Sequence, residues 1–279
     1  LIKVLDIAAN LLASLENGTL SEDEALRYFR DNQRLLRSNM EQAYAKYGEE
    51  DLAGVVRRVF PEIIGNRELI LSNRRRLTEI RDKVSEKVVS VYGGVPEVVL
   101  VPCVGLFVAS GWASKEGGHR VFIALEFPHR NMDIMLAHEV AHAVSQDTWD
   151  TVLDGFYREG HAAYVSSVLF PGHGDEEYLF MSEELYHRCL EWMEANREKI
   201  LKDSIEPLKV LNRHHKFYFT TGYSPDYPNV GYVIGYHYVK HLNRKHSLPE
   251  LLGFGLKKEE KETEFAEFIN DAGSFTLGS

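Results

Sequence analysis

Cysteine is nearly missing from this chain: Cys103 and Cys189 are the two in 279 residues. Two thiols cannot build a disulfide framework, so two buried thiols and a reducing, cytoplasmic setting are the simple expectation. Long hydrophobic runs are missing too. The longest apolar stretch, Val98 to Ala109, is interrupted by Pro102 and Gly105 and is too short to span a bilayer. The first fifteen residues, Leu1 to Leu15, are apolar, but Asp6 and Asn10 break them and no small-residue cleavage site follows. They read as an amphipathic helix and not as a signal peptide, although a chain that starts with Leu leaves a removed leader open. Positive charge is in deficit, with 32 Lys and Arg against 42 Asp and Glu and a net charge of −10. That balance argues against a broad nucleic-acid footprint. Neither nucleic acid nor membrane is expected as a partner. There is no internal repeat and no low-complexity linker.

What remains is a globular composition, 44% hydrophobic and 27% charged, in a chain long enough for one large domain or two closely packed ones. Residues 1–90 read as a helical N-terminal region packed on a catalytic part at 91–279. Ser21-Glu-Asp-Glu24 is a capping-box pattern ahead of a helix through Ala25–Tyr47. A second helix, Asp51 to Ile64, is expected to kink or split at Pro61. A third spans about Glu68 to Val88. Its Asn73-Arg-Arg-Arg-Leu77 cluster precedes Glu79, Asp82 and Glu86, so a solvated, ion-paired face is expected over a basic docking patch. From Val91 the texture changes. Val98–Val101, Gly105–Ser110 and Arg120–Phe127 are β-branched or aromatic segments between Gly-rich breaks, and they read as a small mixed sheet. The fold class is therefore α+β and mostly helical. An edge strand around Arg120–Phe127 would suit a peptide held in extended form by strand addition.

The chain is organised around His138-Glu139-Val140-Ala141-His142. On a helix, positions i and i+4 lie one above the other, so His138 and His142 can offer two imidazole nitrogens to one metal ion. Glu139 sits beside them as a base for water that the metal activates. Zinc is the default for two imidazoles and a carboxylate, one ion per chain. HExxH also arises by chance on ordinary helices. Here Ile134, Ala137, Ala141 and Val144 form an apolar stripe, with Met135, His138, His142 and Ser145 on the adjoining one, as for a helix packed on one side and open to a site on the other.

That helix is expected to end near Gln146-Asp147, and Asp150 or Thr151 could cap the next one, running to about Leu169. Two antiparallel helices joined by a short turn would return this helix past the histidines. Glu159, about two turns in, is the expected third ligand. Asp150, Asp154 and His161 are its competitors. Asp150 and Asp154 fit cap or surface roles, and His161 points about 200° away from Glu159 on the same helix.

HExxH followed by a helix carrying Glu159-Gly-His-Ala-Ala-Tyr164 resembles the gluzincin metallopeptidases. It resembles more closely a poorly characterised family of predicted zinc-dependent proteases. Three blocks carry that likeness over about residues 95–270: the strand before HExxH, the Leu-Asp…Glu-Gly-x-Ala block, and Gly231-Tyr-Val-Ile-Gly-Tyr236. The resemblance implies a zincin-like fold and a zinc-dependent peptidase acting on a peptide or protein substrate. It also implies His138, His142 and Glu159 as metal ligands and Glu139 as the base. Here the family's Glu-Gly-Leu-Ala has become Glu159-Gly160-His161-Ala162. Many gluzincins carry an acidic residue four positions after the ligand Glu, where this chain has Ala163, so groups that orient the ligands must come from elsewhere.

Glu183–Leu201 reads as one or two helices, Phe217 to Pro228 as an aromatic loop, and Val230–Leu242 as a helix. Gly231 and Gly235, at i and i+4, would let another helix approach closely. Tyr232 is the expected donor to the oxyanion formed in hydrolysis, with Tyr236 and His237 as rivals. Two short helices are expected within 248–271. Two other classes of function compete with the peptidase. A zinc-bearing regulator would cover its cleft, for instance with His161 as a fourth ligand. An interaction scaffold would bind no stoichiometric metal. Substrate identity and oligomeric state are not legible in the residues.

Overall fold

The computed structural model describes residues 2–145, 149–209, 212–220, 226–252 and 257–271. It is mostly helical with one small mixed sheet, an α+β chain. In order come β1 (Ile2–Val4), α1 (Ala9–Glu16), α2 (Glu22–Asp31), α3 (Arg37–Tyr47), α4 (Leu52–Gly65), α5 (Arg67–Tyr92), β2 (Val98–Cys103), β3 (Gly111–Ser114), β4 (His119–Ala124) and α6 (Met132–Val144). There follow α7 (Val152–Leu169), α8 (Asp175–Tyr178), α9 (Glu183–Ala195), α10 (Arg197–Ser204), α11 (Arg213–Phe219), α12 (Val230–Leu242) and α13 (Lys258–Asn270). The chain divides into two compact units, Leu1–Glu86 with Pro96–Ala143, and Lys87–Val95 with Val144–Ser279. Among the described residues no helix is long and apolar enough to cross a membrane. Cys103 and Cys189 are both free and buried, as expected.

In the first unit the sheet order is β1-β2-β4-β3, with β1 and β4 each parallel to β2 and β3 antiparallel to β4. Gly117 and Gly118 turn β3 into β4 with φ of +71° and +117°, conformations that L side chains rarely adopt. Trp112 and Phe122 face each other across that pair and stack with ring centres 4.8 Å apart.

Four expectations need correction here. The first residues are not all helix. Ile2–Val4 instead pairs with Val98–Leu100, a non-local partner that local periodicity cannot reveal. The helix expected through Ala25–Tyr47 breaks into α2 and α3 where the Asn32 amide donates to the Tyr28 carbonyl, a bond that competes with helix continuation. Its start is as read: Ser21 and Glu24 form the capping box. The strand expected at Gly105–Ser110 is a loop, and the strand lies at Gly111–Ser114. Segment Arg120–Phe127 is not an edge strand, because β4 is paired on both sides. Helix α4, by contrast, continues through Pro61 without a split.

The 104–107 loop has its polar groups taken by side chains. Tyr28 donates to the Val104 carbonyl at 3.0 Å and accepts the Val104 N–H at 3.1 Å. Tyr47 donates to the Leu106 carbonyl, and Lys46 to that of Phe107. The buried Glu126 carboxylate accepts the N–H groups of Gly105 at 2.9 Å and Phe107 at 3.2 Å. An apolar segment is thus held as a loop because its backbone bonds go to side chains instead of to a neighbouring strand. On α5, the expected solvated face is in part structural. Asn73 donates to the Leu125 and Phe127 carbonyls, Arg76 to that of His129, and Arg74 pairs with Asp6.

In the second unit, α7 starts at a capping box between Thr151 and Asp154, as one of the two expected caps. Helix α12 packs against α7 at glycines on both. A methyl built on Gly160 would lie 2.0 Å from the carbonyl carbon and oxygen of Gly235, and one on Gly235 would lie 2.0 Å from the Phe156 carbonyl oxygen. The small-residue spacing read at Gly231 and Gly235 therefore serves close helix approach. Glu183–Leu201 is two helices, α9 and α10. Phe217–Phe219 belongs to α11, so the loop expected from Phe217 begins later, and its residues 221–225 lie outside the described residues. So do Gln146 and Asp147, where the metal helix was expected to end. Within 248–271 the described residues form a single helix, α13.

Candidate metal centre

Helix α6 is buried along almost its whole length, so it is enclosed on the histidine face as well as along the apolar stripe that was expected to pack. His138 and His142 lie one turn apart on it. Their Nε2 atoms are 3.1 Å apart and their rings nearly perpendicular, at 85°. His138, His142 and Glu159 each offer one ligand atom, these atoms all lie within 4.8 Å of one another, and the three residues are buried. Among the described residues no other three or more His, Cys, Asp or Glu side chains gather in this way.

The donor set fits zinc. Tetrahedral zinc with ligands at about 2.05 Å holds them roughly 3.3 Å apart, close to the imidazole separation here. Two imidazoles and a carboxylate are also the nitrogen and oxygen donors that zinc takes. The three competitors for the third position are engaged elsewhere or exposed. Asp154 accepts the Thr151 N–H at 3.0 Å and its hydroxyl at 2.8 Å. Asp150 is exposed. His161 Nε2 lies 3.3 Å from the Tyr92 hydroxyl, and its ring lies nearly parallel to that of Tyr157.

Glu139, on the same helix, is buried. The edge strand β3 passes close to it: a methyl on Gly111 would lie 3.2 Å from both Cγ and Oε1 of Glu139 and 3.3 Å from the Met135 sulfur. Any side chain at position 111 would therefore press on the carboxylate.

The three oxyanion candidates separate. The Tyr236 hydroxyl donates to Asp175 Oδ1 at 2.7 Å. His237 Nε2 lies 2.9 Å from the Tyr186 hydroxyl, and burial drives its pKa down to about 4 although the Asp175 charge opposes this. Both side chains belong to a part-buried network centred on Asp175, which also accepts from the Tyr186 hydroxyl at 3.2 Å. Tyr232 is half-buried, its ring 6.1 Å from that of Phe219 in a T-shaped pair.

Sequence reasoning missed two residues near Glu159. His215, on α11, is half-buried. Burial lowers its pKa, and the Glu159 carboxylate acts in the opposite direction. The second is Arg158, whose guanidinium carbon lies 5.3 Å from the ring centre of Trp149, itself 6.2 Å from that of His215. The available signal was Asn212-Arg-His-His215, where Asn212 caps α11 by accepting the His215 N–H at 2.8 Å. Compared with known proteins, the chain matches no protein-family model, no curated protein and no solved structure.

Proposed function

We propose that this chain is a zinc-dependent peptidase with a zincin-like catalytic part, one zinc per chain and a peptide or protein substrate. The observation that supports it is the buried His138, His142 and Glu159 group with Glu139 on the same helix. His138 and His142 would hold the ion through imidazole nitrogens and Glu159 through a carboxylate oxygen. Zinc bound there would polarise a substrate carbonyl and lower the pKa of a water to about 7. Glu139 then accepts the proton of the attacking water and passes it to the leaving amine. Its burial keeps bulk solvent from competing for that proton. Strand β3, at the sheet edge beside Glu139, offers backbone groups to an extended substrate. Tyr232 is the proposed donor to the oxyanion; its rivals Tyr236 and His237 bond to Asp175 and Tyr186. The two free, buried cysteines fit a reducing, cytoplasmic setting.

The test is elemental analysis of the purified protein with Glu159→Ala beside it, followed by a peptide-library digest of the zinc-loaded protein. About one zinc in the wild type, a large loss in the variant and cleavage of peptides are expected. No zinc in the wild type after zinc is added back overturns the reading.

A further inference from the structure

Helix α7 carries a cation that no anion answers among the described residues. Arg158, immediately before Glu159, is half-buried. Its guanidinium carbon lies 5.3 Å from the centre of the Trp149 ring, and its Nε is fully enclosed without a hydrogen-bond partner. Other partly buried cations have an anion or a carbonyl for a partner: Arg74 pairs with Asp6, Arg197 with Glu194 and Lys261 with Asp154 on the same helix as Arg158, while Arg76, Lys87 and Arg120 donate to backbone carbonyls. In a chain with 42 carboxylates, an unanswered guanidinium at this depth is an exception.

Its surroundings say what it is for. Trp149 faces Arg158, His215 and Phe219, the last two at ring-centre distances of 6.2 and 5.3 Å. Arg158, Trp149 and His215 thus lie together in the second unit, and Arg158 directly precedes Glu159 on α7, which sets a cation over an aromatic ring next to a metal-ligand candidate. The cation–π contact with Trp149 restrains the guanidinium, so less freedom is lost when its fork takes a planar, bidentate anion. A carboxylate has that geometry.

We propose that Arg158, held over the Trp149 ring, binds a carboxylate of the peptide substrate beside Glu159. This rests on the peptidase reading. The carboxylate has two sources, the substrate C-terminus or an acidic side chain, and the experiment separates them.

The wild-type chain, zinc-loaded and chelator-stripped, is titrated by calorimetry with acetyl-Ala-Ala as the free acid, with acetyl-Ala-Ala-amide, and with acetyl-Glu-Ala-amide. At least one carboxylate ligand is expected to bind about tenfold or more tighter than acetyl-Ala-Ala-amide, the effect of one charge-assisted bond. Preference for the free acid assigns the site to the C-terminus, and preference for acetyl-Glu-Ala-amide assigns it to an acidic side chain. Arg158→Gln should bring carboxylate binding down to the level of the neutral amide in both metal states, with Arg158→Lys recovering part of it. Equal binding of all three ligands to the wild type overturns the proposal without any variant being needed. A preference that survives in Arg158→Gln overturns it as well, because the carboxylate then sits elsewhere. The two readings fail separately. An Arg158-dependent preference in a chain that takes up no zinc removes the peptidase and keeps the carboxylate site, whereas bound zinc with no such preference does the reverse.

Discussion

Glu126 makes the fold itself sensitive to pH, in a direction opposite to that of a paired carboxylate. Its side chain is almost fully enclosed. Burial raises its pKa from 4.5 to about 7, although the N–H groups of Gly105 and Phe107 pull the other way. Below pH 4.5 the group is protonated whether the chain is folded or not, and it has no effect. Between pH 4.5 and 7 the unfolded chain ionises first, so stability falls as pH rises, and the full loss is reached above 7. At about 1.4 kcal/mol per pH unit, the loss reaches at most about 3 kcal/mol. The perturbation is Glu126→Gln, which cannot ionise. Its amide nitrogen would face one of the two backbone N–H groups that the carboxylate accepts, so the variant also loses a hydrogen bond, about 1–3 kcal/mol at every pH. The informative quantity is therefore the slope and not the offset. Urea denaturation of both proteins from pH 4 to 8 gives the wild-type stability minus that of the variant. That difference should fall by up to about 3 kcal/mol, with most of the change below pH 7. Other titrating groups cancel in the subtraction. A flat difference, or one that rises with pH, would refute the reasoning and mean that a positive charge answers the carboxylate in the folded chain.

Gly160→Ala should destabilise by about 2 kcal/mol in thermal or chemical unfolding: the helix gains roughly 1 kcal/mol in propensity, but the methyl meets the Gly235 backbone at 2.0 Å. Gly65→Ala, at the exposed end of α4 with nothing within 4 Å, is the matched control and should be neutral or slightly stabilising. Thr151→Ala removes the hydroxyl that accepts the Asp154 N–H and should cost about 1 kcal/mol of stability. Glu139→Gln should retain zinc and lose about 10²–10⁴-fold in turnover; hydrolysis at the wild-type rate would remove Glu139 as the base.

The features legible in the sequence were those set by short spacings. His138 and His142 meet because four residues make about one helical turn, and α7 begins where Thr151 and Asp154 can cap each other. Helix α12 carries its packing in Gly231 and Gly235. The errors came where distant groups decide the outcome. Gly105–Ser110 has the composition of a strand, yet Glu126, Lys46 and Tyr47 satisfy part of its backbone and leave β3 to start at Gly111. Ile2–Val4 is a strand because β2 offers it a partner almost a hundred residues along. In the candidate site, two candidate ligands came from local spacing and Glu159 from counting turns on the next helix. Arg158 and His215 escaped notice because a charge or an imidazole becomes unusual only once its burial and its neighbours are known.

The glycine contact between α7 and α12 also has an evolutionary meaning. Neither Gly160 nor Gly235 can gain a methyl while the other helix stays in place, so the two positions behave as one inherited character. A lineage that widens the gap between these helices releases both at once, and one that keeps it holds both fixed. Distant relatives should therefore carry the pair together or lose it together, and a chain with Glu159 and Gly160 but a bulky residue at 235 should have a different helix spacing beside Glu159.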